Sequence, residues 1–283
     1  MSLVKQLLAL PAVSSAGVCA FSSLTAHLSP DRRQWALRLC PGAQSVVVAL
    51  FPYFAGRTGG NLALYARGRD YHLVVRDTLS PLAERWQRDF PPHRFVPLCD
   101  DSPLPETQAA FLSGAGILGD NRLIFDPVYG SFVFIGCILT DLALPPTPGG
   151  RRCPGCGACR RACPTGALGP PFCAGRCLSH LTQYNGELTE EEQQALRRAP
   201  LIWGCDTCAL CCPLNQHVPR SPNPAFTENR IDRLAPGDVA GVTRRQFHQA
   251  FPDRAFTWKG PAPLRRNLAL QQEESYDPSS PTV

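Results

Sequence analysis

The chain has 283 residues, 44% of them apolar, enough for one large domain or two modest ones with a real core. Its 28 basic and 23 acidic residues leave a net charge of +5, with the excess in the cysteine-rich second half; no dense basic tract is present, and the lack of any run of 18 apolar residues argues against a membrane-spanning helix. Twenty-nine prolines demand many loops, and fourteen cysteines, ten of them between residues 153 and 212, demand metal or disulfides.

The N-terminal stretch MSLVKQLLALPAVSSAGVCA superficially has the form of a signal peptide. Its single Lys5, polar Gln6 and an apolar run broken by Pro11 argue against export. A reducing cytoplasm is the expected compartment, which disfavours a disulfide framework. Residues 12–24 and 44–53 read as strands, the second a continuous β-rich run suited to a buried position. In residues 71–87, Tyr71, Val74, Val75, Leu79, Leu82 and Trp86 recur at helical spacing. Residues 106–118 read as a helix entering the Gly-rich turn SGAGILG, and 130–139 as another strand. Strands alternating with helices predict an α/β or α+β first domain over residues 1–145. PPTPGG at 145–150 reads as a junction, followed by a bacterial ferredoxin-like domain over 146–220. Inside it, Thr189 followed by Glu192 forms a capping-box pattern that opens a helix. Residues 221–268 are expected to pack on the core and 269–283 to form a disordered tail.

The cysteines carry the strongest signal. Cys153-x2-Cys156-x2-Cys159-x3-Cys163-Pro164 is the bacterial ferredoxin run, in which three thiolates cap one [4Fe–4S] cubane and the fourth reaches a second. Cys205-x2-Cys208-x3-Cys212-Pro213 is its altered repeat, with Cys177 available upstream. This spacing assigns Cys153, Cys156, Cys159 and Cys212 to one cluster and Cys163, Cys177, Cys205 and Cys208 to the other. Cys173 and Cys211 are neighbours that could replace a ligand. CxxC pairs also serve zinc, but two runs ending in Cys-Pro favour clusters.

Several further segments are hard to explain as generic core: YARGRDYHLVVRDTL at 65–79, CDDSPLPE at 99–106, SGAGILGDN at 113–121 and YGSFVFIGCILTDLALP at 129–145. Together with CPGCGACRRACPTGAL, RCLSHLTQ and WGCDTCALCCPLN, they resemble the epoxyqueuosine reductases, cobalamin-dependent two-cluster enzymes of tRNA modification. The resemblance runs from about residue 40 to 217, with a weaker echo at 243–270. It implies a corrinoid-binding domain before the cluster domain, tRNA as substrate, and an external electron donor such as a flavodoxin or ferredoxin. It also implies that Asp100, spaced with Pro103 and Glu106 as in the family, donates a proton, with Asp101 as the neighbouring alternative. A carboxyl buried beside a corrin would have a raised pKa. Tyr71 and His72, in the run with Arg67 and Asp70, become cofactor-binding candidates, as do Gly114, Gly116, Tyr129, Gly130 and Ser131. Three positions depart from the family pattern: Thr107 for Arg, Asp120 for Lys and Cys137 for Glu. The helical repeats at the C-terminus of longer members are not expected here. Two other readings remain open: a ferredoxin-like electron carrier, and a corrinoid reductase with another substrate.

Overall fold

The computed structural model describes residues 2–275 and divides into two compact units that interleave along the chain. The first comprises the chain up to Ala55, Tyr71–Cys156 and Pro213–Thr227. The second comprises Gly56–Asp70, Gly157–Cys212 and the chain from Glu228 onward. Where two boundaries were expected, at 145 and 220, the chain crosses between the units five times. PPTPGG is no free linker, since Thr147 is tied within the first unit: its Oγ1 accepts from Val18 N at 2.8 Å and donates to Ser113 O.

The first unit opens with α1 (Leu3–Leu8), β1 (Ser15–Ala20), α2 (Pro30–Leu39) and β2 (Ser45–Pro52). It continues through α3 (Tyr71–Asp89), β3 (Phe95–Leu98), α4 (Glu106–Leu112), the short pair β4 (Ile117–Leu118) and β5 (Ile124–Phe125), and β6 (Val133–Thr140). The main sheet has the order β1-β2-β6-β3 and is antiparallel throughout, which makes the unit α+β rather than parallel α/β. β2 is buried along its whole length because both its faces are covered. Val46, Val48 and Leu50 join Ala109, Ala110 and Phe111 of α4 in one core. On the other face α3 closes over Gly136, where an added Cβ would come within 2.7 Å of Val75 and 2.9 Å of Leu79. α3 buries the apolar stripe its spacing announced.

The strand expected over 12–24 ends at Ala20, and Phe21–His27 turns into a 3-10 helix. The Ser23 and Thr25 hydroxyls donate to the Ala20 and Ser22 carbonyls and stabilise the turn against further ladder pairing.

The second unit is built from short helices, beginning with α5 (Ala158–Ala162), α6 (Leu178–Leu181), α7 (Glu190–Arg197) and α8 (Thr207–Leu210). The capping box on α7 is present, Thr189 N donating to Glu192 Oε2 at 2.8 Å. One core gathers Leu62, Ala66, Trp203, Phe247, Phe256 and Leu264, which is why residues 56–70 belong here. Buried Arg67 serves that knot: it donates to Leu62 O at 2.7 Å and Thr58 O at 2.8 Å and faces Asp232 at 3.6 Å. A second core joins Leu178, Leu181, Leu196, Ala199 and Leu270. The last helix, Ala262–Ser275, corrects the tail expected from 269. Leu270 is buried there and Gln271 donates to Ala199 O at 2.7 Å, so the chain is held beyond that point. The rest of the expected tail, 276–283, lies outside the described residues. Among the described residues, no helix is long and apolar enough to cross a membrane.

Candidate functional site

In the first unit, Asp100 stands on the loop after β3 in a left-handed backbone conformation (φ 57°), unusual for a residue other than glycine. Its carboxylate receives the Tyr71 hydroxyl and lies 3.3 Å from His72 Nε2. Tyr71 and His72 are the first two residues of α3, so the helix N-terminus also favours an anion there. The two rings stack at 4.1 Å. Tyr71 stacks on Phe134 at 4.3 Å, and Tyr53 lies tilted against Phe134 at 4.4 Å, giving a row of four rings beside the carboxylate.

Asp100 and Glu106 have opposite electrostatics. The His72 hydrogen bond, aided by Tyr71 and opposed by partial burial, holds the Asp100 carboxyl below its ordinary range. This reverses the direction expected from sequence, because the side chain is 63% exposed and doubly hydrogen-bonded. The raised group is Glu106, pushed up to about 7 by burial and by the Asp100 charge, against the Ser102 hydroxyl that stabilises its anion. Its Oε1 accepts from Asp100 N and from Ser102 Oγ, each at 2.8 Å. Glu106 therefore fixes the backbone that presents Asp100. The sequence displayed it as part of a spacing without revealing that work.

The glycines have structural neighbours of their own. A Cβ on Gly114 (φ 69°) would meet Pro148 O at 2.0 Å, and one on Gly116 would meet Ile124 at 2.2 Å. The close approach they permit is to the protein itself. Tyr129, Gly130 and Ser131 are set by Asp126 and Asn215. Asp126 Oδ1 accepts from Tyr129 N at 2.9 Å; Asn215 bonds the Ser131 backbone N at 2.9 Å and hydroxyl at 2.8 Å. Asn215 is buried and was missed; its position just after the second Cys-Pro was the available signal. Cys137, at the departure from Glu, is fully buried beside Glu106, Cys19 and Cys99, and burial raises its thiol well above the ordinary range.

The cysteine array is rich in features suited to thiolate ligands. Cys153 N donates to Leu118 O at 3.0 Å, and its sulfur accepts from Asp120 N at 3.3 Å. In the second unit, burial raises the Cys163 thiol, but hydrogen bonds from the backbone of Leu168, Thr165 and Ala167 outweigh it and leave the pKa lowered. Cys208 is pushed up to about 12, first by burial and then by Cys205, Cys177, Cys159 and Cys211. Cys208, whose ionisation its sulfur neighbours oppose, suits a cationic iron–sulfur core, which would relieve that repulsion. Cys211 donates to Cys208 O at 3.6 Å, while Cys156 and Cys173 are exposed. All fourteen cysteines are thiols rather than disulfides.

Residues 152–215 match the family described as "4Fe-4S double cluster binding domain", and 33–100 match "Epoxyqueuosine reductase QueG, DUF1730". The epoxyqueuosine reductase of Listeria monocytogenes is 32% identical over 230 residues, covering 76% of this chain and 58% of that protein. The chain thus spans less than two thirds of that relative's length. Among solved structures, an epoxyqueuosine reductase with an epoxyqueuosine-modified tRNA-Tyr stem loop aligns at TM-score 0.81 and 28% identity, covering 95% of this chain and 79% of that one. The Bacillus subtilis enzyme, solved with its catalytic aspartate loop swung out of the active site, aligns at TM-score 0.80 and 27% identity, covering 95% and 79%.

Proposed function

The chain belongs to the epoxyqueuosine reductase family, with an α+β first domain and a ferredoxin-like double-cluster domain, and on that premise we propose that it reduces epoxyqueuosine in tRNA to queuosine. The observation that carries the reading is Asp100 held by Tyr71 and His72 beside a row of stacked rings, in a chain that also carries a double-cluster domain. The reaction removes the epoxide oxygen as water, consuming two electrons and two protons and leaving a carbon–carbon double bond. Cysteines 153, 156, 159 and 212 would hold one cluster, and 163, 177, 205 and 208 the other, each passing one electron at a time.

Cobalamin fits the first unit. A corrin is a broad, largely apolar plate, and the half-buried rings of Tyr53, Tyr71 and His72, packed around buried Phe134, would give it an aromatic border. When bound, the cofactor supplies a low-valent metal centre that delivers electrons to the substrate carbon. His72 Nε2 is engaged by Asp100 at 3.3 Å, so His72 serves as a positioning residue for the acid. Tyr71 holds the same carboxylate from its other neighbour. Asp100 delivers a proton to the epoxide oxygen. With the site covered, the Asp100 carboxylate would lose water and its depressed pKa would rise toward the working range. Glu106 keeps the Asp100 backbone in place from beneath.

Two aspects of setting belong to the same proposal: a cytoplasmic compartment, where reduced thiols persist, and an external one-electron donor. The test is anaerobic reconstitution with iron, sulfide and cobalamin, incubation with epoxyqueuosine-containing tRNA, and nucleoside analysis. Queuosine is the expected product. Iron and corrinoid binding with no turnover of that tRNA would favour a reductase with another substrate, and clusters with no corrinoid binding would favour an electron carrier.

A further inference from the structure

The second unit contains a cavity of about 500 Å³ that the proposed reaction does not use. Its walls include Phe172, Cys177, His180, Tyr184, Trp258 and Lys259. Phe172, Tyr184 and Trp258 are 37%, 42% and 52% exposed, three of the eight large apolar side chains that stand open to solvent among the described residues. Folding gives no reason to gather exposed rings around one opening, and such a patch marks a binding site. The indole of Trp258 is also held. Trp258 Nε1 donates to Gln183 Oε1 at 3.1 Å, and Lys259 Nζ sits 3.9 Å from the centre of the indole. Lys259 carries a charge at the rim, and the lining contains no carboxylate. These features select a flat, aromatic, anionic ligand.

Cys177 decides between kinds of ligand. A nucleobase needs no thiolate beside it, whereas an electron donor gains from lying against a cluster ligand. We propose that this cavity is where electrons enter the chain, taking the ring of a reduced flavin between its aromatic walls with Cys177 behind it. The inference rests on the reading of Cys177 as a cluster ligand. The anionic flavin hydroquinone gives up one electron and becomes the neutral semiquinone, keeping its N5 proton. The cluster passes from the 2+ to the 1+ state, and no covalent bond forms or breaks. The flavin could be free FMN or one presented by a flavoprotein; the ring is common to both.

The test uses the reconstituted two-cluster protein. Reduction of the clusters is followed by absorbance and electron paramagnetic resonance after mixing with FMN hydroquinone, with reduced flavodoxin, or with dithionite. Trp258→Ala and Lys259→Glu, both at the rim, should slow reduction by a flavin roughly tenfold relative to reduction by dithionite. Dependence on Trp258 in the FMN arm marks a free flavin; dependence only in the flavodoxin arm marks a presented one. An unchanged ratio in both arms overturns the proposal. So does a variant that reduces normally but loses affinity for a tRNA stem loop, which would make the cavity a nucleotide site. Cys177→Ser separates the premise: full iron retained in that variant removes the ligand reading, independently of the flavin result.

Discussion

The two units keep their shape by different means. The first owes its order to a sheet covered on both faces, with β2 wholly buried between flanking strands and between α3 and α4. The second has short helices, two small apolar cores and eight cysteines distributed along its short helices and loops. Cores of that size leave part of the stability to be supplied by bound metal. Under the proposed function the two units divide the labour: the apolar lattice would support a loop that handles protons, and the cysteine-rich region would carry electrons.

Removing iron is the harshest challenge to that contrast. Anaerobic chelation, which takes away about eight irons per chain if both clusters are full, should unfold the second unit while β2 and its neighbours stay protected from amide exchange. Equal loss of protection in both units would erase the distinction. Cys208→Ser should reproduce part of the effect, lowering iron to roughly half.

Asp100→Asn tests the first unit's chemistry. The amide preserves shape but carries no acidic proton. Turnover should fall by about two to four orders of magnitude, with iron content and corrinoid absorption unchanged. Retained turnover would exclude Asp100 as the acid. Tyr71→Phe is the milder companion. Losing the hydroxyl removes one of the bonds that stabilise the anion, so the Asp100 pKa moves up toward its ordinary range. The alkaline limb of the pH–rate profile should move to higher pH while kcat drops about tenfold. A purely structural tyrosine would lower activity without moving that limb.

What the sequence disclosed follows the same contrast. Local signals survived: the apolar stripe of α3, the continuous run of β2, and Thr189 with Glu192. The cysteine spacings were equally legible, since they are local too, and the family match to 152–215 agrees with them. Interleaving was invisible, because only the tertiary neighbours of Leu62 and Ala66 reveal that 56–70 leaves the first unit. α2 could have been found from Ser29 as cap and Pro30 at its first turn, but its weak apolar periodicity hid it. The direction of the Asp100 shift was illegible for another reason. Ionisation depends on which side chains reach the carboxylate, and the run Tyr71–His72 stands 28 residues away from it in sequence.

Glu106 gives the smallest effect and sharpens the account of how the apolar unit supports its loop. Its pKa is raised from 4.5 to about 7. A carboxyl raised by folding contributes stability that is complete below its unfolded value and is lost as pH climbs through the folded one. The first unit should therefore weaken between about pH 4.5 and 7, by up to about 3 kcal/mol. Asp100 does not mask this trend, because its depressed pKa places its own contribution below pH 4. Glu106→Gln keeps an oxygen for Asp100 N and Ser102 Oγ and cannot ionise. Urea midpoints for this variant should be nearly flat from pH 5 to 8 where the parent's decline. A parallel decline in both proteins would show that Glu106 is already ionised at pH 5, and its burial would then carry no penalty for the loop.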